Sequence, residues 1–107
     1  MPETDVILVL STFPDASKAR EITRVLVEEN LVACGNIIPA VESIYRWKGA
    51  VEETTESMVV FKTTVTRSSE MQARLKALHS YEVPEIILIP VQDGLPAYLQ
   101  WVQESVG

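Results

Sequence analysis

The chain is poor in the residues that reactive sites are usually built from. It holds one cysteine, Cys34, and one histidine, His79, in 107 residues. A single cysteine excludes an intrachain disulfide framework and fits a reducing cytosol. Phosphate loop, dinucleotide fingerprint, HExxH and CxxC patterns are all missing. Basic residues are scarce too: nine Lys and Arg stand against fifteen Asp and Glu, a net charge of −6. Affinity for a phosphate backbone comes from clustered Lys and Arg, so no nucleic-acid partner is expected. The longest apolar runs are of strand length, and MPETDVILVL has neither a basic n-region nor a cleavage-like small-residue site. No membrane segment or signal peptide is expected, and the location expected is cytoplasmic.

What is present describes a folded protein. Apolar residues make up 47% of the chain and charged residues 22%, the balance of one globular domain over residues 1–107. Val6 to Leu10, followed by Phe13, reads as a strand buried on both faces. Asp15 then caps a helix whose apolar stripe is Ala19, Ile22, Leu26 and Val27, with Asn30 as its stop. Thr66 to Ser69 opens a second helix carrying Met71, Leu75 and Leu78, which ends by His79 because Pro84 disfavours helix before it. Glu85 to Val91 reads as another buried strand. Pro96 starts a short third helix with Tyr98, Leu99, Trp101 and Val102 as its apolar face.

Between the first two helices lies the longest feature, LVACGNIIPAVESIYRWKGAVEETTESMVVFKTT. It reads as two strands meeting at a tight turn near Lys48-Gly49. The order is therefore β-α-β-β-α-β plus a closing helix, an α+β, ferredoxin-like split βαβ arrangement. Its second and fourth strands are edges, and the strand-interior prolines, Pro39 and Pro90, fall in those two. Roughly sixteen residues per strand would span about 50 Å, against about 21 Å for the fourteen or so residues of the preceding helix. The hairpin thus overshoots the body that could cover it. An arm carrying Ile44, Tyr45 and Trp47 into water invites edge pairing, so a second copy of the chain is expected to cover it.

Few residues are left to carry chemistry. Cys34, at a strand start, is either a small buried hydrophobe or a soft ligand for copper. His79 is either an imidazolium capping a helix end or a metal ligand. These two cannot close a four-coordinate site alone, so a metal would need a carboxylate such as Glu82 or donors from neighbouring subunits. A Cys-His catalytic pair has no support in the spacing. Lys62 follows an apolar strand and either snorkels or lines a polar pocket with a carboxylate partner. Tyr45 and Trp47 read as subunit contacts. Glu52, Glu53 and Glu56 read as solvated strand ends.

LVACGNIIPAVESIYRWKGAVEE, then Phe61-Lys62-Thr63-Thr64, HSYEVPEIILIPV and YLQW together resemble the CutA divalent-cation-tolerance proteins over essentially the whole chain. The resemblance implies a compact homotrimer similar to the PII signalling proteins, with the long hairpin pairing between subunits. It implies a link to copper and other divalent cations, no obligatory cofactor and no established enzymatic reaction. By position, Cys34 matches the family's cysteine, and His79, Tyr81, Glu82, Val83 and Pro84 match its HPYEVPE segment. Tyr45, Trp47 and Lys62 match positions around an intersubunit cleft, which Tyr81 and Glu82 would join. The sequence departs at Ser80, where the family usually has proline, and at Gly35, where a β-branched residue is commoner. The expected function is divalent-cation binding at Cys34, His79 and Glu82, copper foremost. The alternative is a PII-like regulatory module that takes a small anionic effector or a partner protein in its clefts.

Overall fold

The computed structural model describes residues 4–107. Met1 to Glu3, part of the expected 1–107 domain, lie outside the described residues. The elements are β1 Val6–Phe13, α1 Ala16–Glu28, β2 Cys34–Trp47, β3 Ala50–Thr64, α2 Ser68–Leu78, β4 Ile87–Pro90 and α3 Pro96–Val106. The sheet order is β2-β3-β1-β4 with every pair antiparallel. The first and third strands are central, as the ferredoxin-like order requires.

Local chemistry sets the element ends. The Asp15 carboxylate accepts the Lys18 N–H at 2.7 Å and caps α1. After α1, Asn30 takes the left-handed conformation at φ 59°. Asn30 N–H then donates to the Val27 carbonyl and Leu31 N–H to the Leu26 carbonyl, each at 3.0 Å. That pair of bonds is a Schellman stop. β2 and β3 join through two residues, Lys48 at φ 50° and Gly49 at φ 82°, the mirror-image turn whose twist suits a hairpin. Pro39 sits on an edge strand and at a shift of register between Ile38 and Val41. Its carbonyl accepts the Ser57 hydroxyl at 2.6 Å.

One face of the sheet is closed. Ile7, Val9 and Phe13 of β1 and Val59 and Phe61 of β3 pack with Ile22 and Leu26 of α1 and Met71 and Leu75 of α2. The other face is open. Leu8, Leu10, Met58 and Val60 are half-buried there, and Ile38, Ile87 and Ile89 are exposed. β1 and β4 are therefore covered on one side only within a single chain, not on both as their apolar runs predict. β4 is also shorter than Glu85–Val91, pairing only from Ile87 to Pro90. α3 closes one end of the sheet by burying Val102 and Val106 against Val6 and Ala33. Tyr98 and Trp101 stay exposed, so its buried stripe lies one turn further on than expected.

Candidate functional site

The distal half of the hairpin and the α2–β4 connection enclose a cleft of about 920 Å³. Side chains alternate along strands, so Ser43, Tyr45 and Trp47 of β2 share a face with their partners Thr54, Glu52 and Ala50. Glu42, Glu52, Glu56, Glu82 and Glu85 line the cleft, together with Tyr45, Trp47 and Tyr81, and no Lys or Arg does. Tyr45, Trp47, Tyr81 and Glu82, expected around a cleft between subunits, all line this one within a single chain, and Lys62 lies outside it.

Glu56 is the residue that sequence reading missed. It is not a solvated strand end: it is only 8% exposed, and its Oε2 accepts the Tyr81 hydroxyl at 2.7 Å. Burial first, then the Glu56 hydrogen bond and charge, pushes the Tyr81 hydroxyl well above the usual phenol range. Tyr45 is also raised, by desolvation first and then by Glu52 and Glu56. Both hydroxyls are protonated at neutral pH, and that of Tyr81 donates to Glu56. The sequence signal for Glu56 is faint: it precedes the unbroken run Ser57 to Phe61, where β3 starts to pair with β1.

His79 adjoins this cleft and is occupied by structure. Its Nε2–H donates to the Thr12 carbonyl at 2.7 Å, and Nδ1 accepts the Tyr81 N–H at 3.1 Å. A carbonyl can only accept and an amide N–H only donate, which fixes this tautomer as the neutral ring. The ring stacks on Phe13 with centroids 4.7 Å apart. Burial lowers its pKa against the opposing pull of the Thr12 carbonyl and Glu56. The imidazolium helix cap is thus not formed, and neither nitrogen is free for a metal in this arrangement.

Cys34 and Lys62 face each other across β2 and β3 at the other end of the sheet. The Lys62 ammonium donates to Asn36 Oδ1 at 2.7 Å and lies 5.5 Å from the Tyr98 ring centroid. The partners of Lys62 are thus an amide and a ring, not the carboxylate that the polar-pocket alternative would supply. Tyr98 also reaches Cys34, hydroxyl to Sγ at 3.9 Å. The Cys34 end, at Lys62, and the His79 end, at Thr12 beside Met58, are four residues apart on β3. That is roughly 13 Å of strand. Cys34, His79 and Glu82 therefore do not converge within one chain, and no Cys-His pair forms. Among the described residues no three His, Cys, Asp or Glu side chains are grouped to hold an ion.

The CutA1 divalent ion tolerance protein family matches residues 7–105. The chain belongs to this family. The divalent-cation tolerance protein CutA of Thermus thermophilus is 46% identical over 100 residues, which is 94% of this chain and 97% of that one. A crystal structure of CutA from Xylella fastidiosa superposes with a TM-score of 0.94 at 42% identity, covering 97% of this chain and all of that one. The periplasmic divalent cation tolerance protein CutA of Archaeoglobus fulgidus superposes with a TM-score of 0.92 at 34% identity, covering 95% of this chain and 99% of the other. The CutA1 family is named for tolerance of divalent ions and not for a reaction. Among the described residues no helix is long and apolar enough to cross a membrane.

Proposed function

We propose that this CutA1 member acts in divalent-cation tolerance as a PII-like homotrimer that binds divalent cations, copper foremost, at sites completed between copies. The observation that carries the reading is the open face of the sheet. Leu8, Leu10, Ile38, Met58, Val60, Ile87 and Ile89 form one apolar surface continuous with the hairpin arm. Surfaces of this kind mark association sites. Cys34, the one soft donor, lies on the same face, since it pairs with Lys62 beside Leu8. A second copy on that face would bring further donors to Cys34 that its own chain does not. Copper stands highest in the affinity order for such sulfur, nitrogen and oxygen donors. Neither a catalytic residue nor an obligatory cofactor enters this reading, and the free thiol favours the cytoplasm.

Calorimetric titration of Cu(II), with Zn(II) and Mg(II) for comparison, into protein of mass-verified assembly tests it. Saturable copper binding at a whole-number ratio per trimer, reduced in Cys34→Ala, is the expected result. Weak heats without stoichiometry, or copper binding unchanged in Cys34→Ala, would reject the site. His79→Ala should cost stability more than copper affinity, because both ring nitrogens already hold the fold.

One observation favours a second reading, a regulatory module for a small anion. Lys62 is a cation with an amide and an aromatic ring for company and no carboxylate within ion-pair distance among the described residues. An anionic effector therefore suits the Lys62, Asn36 and Tyr98 end. The carboxylate-lined cleft repels one. A thermal-shift screen of nucleotides and organic acids against the parent and Lys62→Met separates the readings, because a native-state ligand raises the melting temperature by mass action.

A further inference from the structure

We infer that Asp93 is a site of covalent self-modification, where the backbone isomerises to an isoaspartyl linkage through a cyclic imide with Gly94. This rests on the loop before α3 alone and is independent of the metal and anion readings. The sequence holds three aspartates and two asparagines, and Asp93 alone is followed by glycine. Both residues are exposed, in the irregular stretch between β4 and α3. The Gly94 N–H donates to Asp93 Oδ1 at 2.8 Å. That contact folds the carboxyl back over the next peptide nitrogen, which brings nucleophile and carboxyl carbon together. With no Cβ, Gly94 leaves the approach to its nitrogen open. The other four residues of this kind are held away from the reaction. Asp15 Oδ1 accepts the Lys18 N–H as the cap of α1. The nitrogen after Asp5 belongs to β-branched Val6 and donates to Thr4 Oγ1 at 3.2 Å. The nitrogen after Asn30 donates to the Leu26 carbonyl, and Asn36 Oδ1 accepts the Lys62 ammonium.

The reaction balances with water as its only partner. The Gly94 nitrogen gives its proton to solvent and bonds to Cγ of the protonated Asp93 carboxyl. The Cγ–OH bond breaks, and the hydroxyl leaves with a proton as water. Water then adds to one of the two imide carbonyls. Opening at Cγ restores aspartate, whereas opening at the main-chain carbonyl leaves the backbone running through Cγ. The isoaspartyl chain carries one extra backbone carbon between two anchored points. Before the loop, Val91 N–H donates to the Val6 carbonyl at 3.1 Å. After it, α3 is held by buried Val102 and Val106. The slack therefore falls on the first turn of α3, where the Tyr98 hydroxyl lies 3.9 Å from Cys34 Sγ.

The test ages the assembled full chain in warm buffer below its melting temperature, beside the same chain unfolded in guanidinium. Cleavage after glutamate releases residues 86–104 as one peptide. A protein isoaspartyl methyltransferase then moves a labelled methyl group from S-adenosylmethionine to the freed α-carboxyl, leaving S-adenosylhomocysteine, and so counts the product. Label should accumulate in that peptide, by way of a species lighter by one water, and not in the peptides holding Asp5 or Asp15. The native rate should stay within a few-fold of the unfolded one, and should be higher at pH 5 than at pH 8, because the carboxyl must be protonated to lose its hydroxyl. Asp93→Glu should abolish the label. Gly94→Ala should slow it several-fold without unfolding the chain, because the new Cβ meets only the Leu99 side chain, at 3.3 Å. The aged parent should melt below aged Asp93→Glu; equal melting would overturn the placement of the slack on α3. An unlabelled 86–104 peptide, equal labelling at Asp5 and Asp15, or a native rate far below the unfolded one would overturn the site itself.

Discussion

From Ser57 to Thr64, β3 runs beside β1 and beneath two helices; from Ala50 to Glu56 its one strand partner is β2. The hydrogen-bond ladder is continuous through both halves. What differs is the surroundings: Phe61 and Val59 are fully buried, whereas Val51 is 63% and Ile44 66% exposed. Backbone pairing alone is worth little net, because water competes for the same groups. Within one chain the proximal half is therefore held by burial and the distal half by its pairing with β2. The two halves carry different chemistry for the same reason. A strand fixed by its core has no side chains to spare on that face, while the arm presents Tyr45, Trp47 and Glu52 to a cleft.

Substitutions can break this contrast, the largest first. Phe61→Ala should cost about 3–5 kcal/mol in urea unfolding, as large-to-small changes do in a packed core. Ile44→Glu should leave the fold of each chain intact but lower the assembled mass and make it concentration-dependent, measured by light scattering. If Ile44→Glu unfolds the chain as Phe61→Ala does, the arm is part of the core and the contrast fails.

Gly35 sharpens the proximal side. A Cβ there would sit 2.7 Å from Thr23 Cγ2 and 3.1 Å from Phe61 Cδ1 and Val59 Cγ1. The close approach of α1 through Thr23 explains why a β-branched residue does not stand at this position. Gly35→Ala should destabilise by about 1–3 kcal/mol, the usual range for overpacking. Thr23→Ser, which removes the clashing methyl, should restore much of that loss in the double variant.

His79 joins the two halves, holding Thr12 of β1 and the backbone of Tyr81. Its pKa is lowered in the native state, chiefly by burial. Below about 6.5 the unfolded chain takes up a proton that the native ring refuses. Its contribution is thus complete above that pH and is lost as pH falls toward the native value. Stability measured from pH 7 to pH 5.5 should decline, and His79→Gln should flatten that decline while lowering stability at pH 7.

The smallest effect lies on the surface. Arg74 donates to both Glu29 oxygens at 2.8 Å, joining α2 to the end of α1. The contact lowers the Glu29 pKa and raises that of Arg74, in each case first through the hydrogen bond. Solvent screens this pair, so Arg74→Met should lower the melting temperature only slightly, and less still in high salt.

Much of this was legible in the chain itself. Alternation and helical spacing gave the element order, Pro39 and Pro90 marked the edge strands, and Asp15, Asn30 and Lys48-Gly49 marked caps and turn. Of the residues expected around a cleft between subunits, Tyr45, Trp47, Tyr81 and Glu82 lie together within one chain, while strand register sets Lys62 at the opposite end beside Cys34. Glu56 looked solvated because nothing local shows that Tyr81, 25 residues away, will cover it.

By itself, then, the sequence determined the ferredoxin-like order, the CutA1 resemblance and the overlong hairpin, because these follow from local periodicity, turn chemistry and length. Only the tertiary structure decided that His79 is a neutral ring with both nitrogens used, that Cys34 lies roughly 13 Å of strand away, and that Glu56 is buried with one oxygen open to an acidic cleft. Those outcomes depend on which strands pair and in what register. A shift of one residue in register would have turned each side chain to the other face.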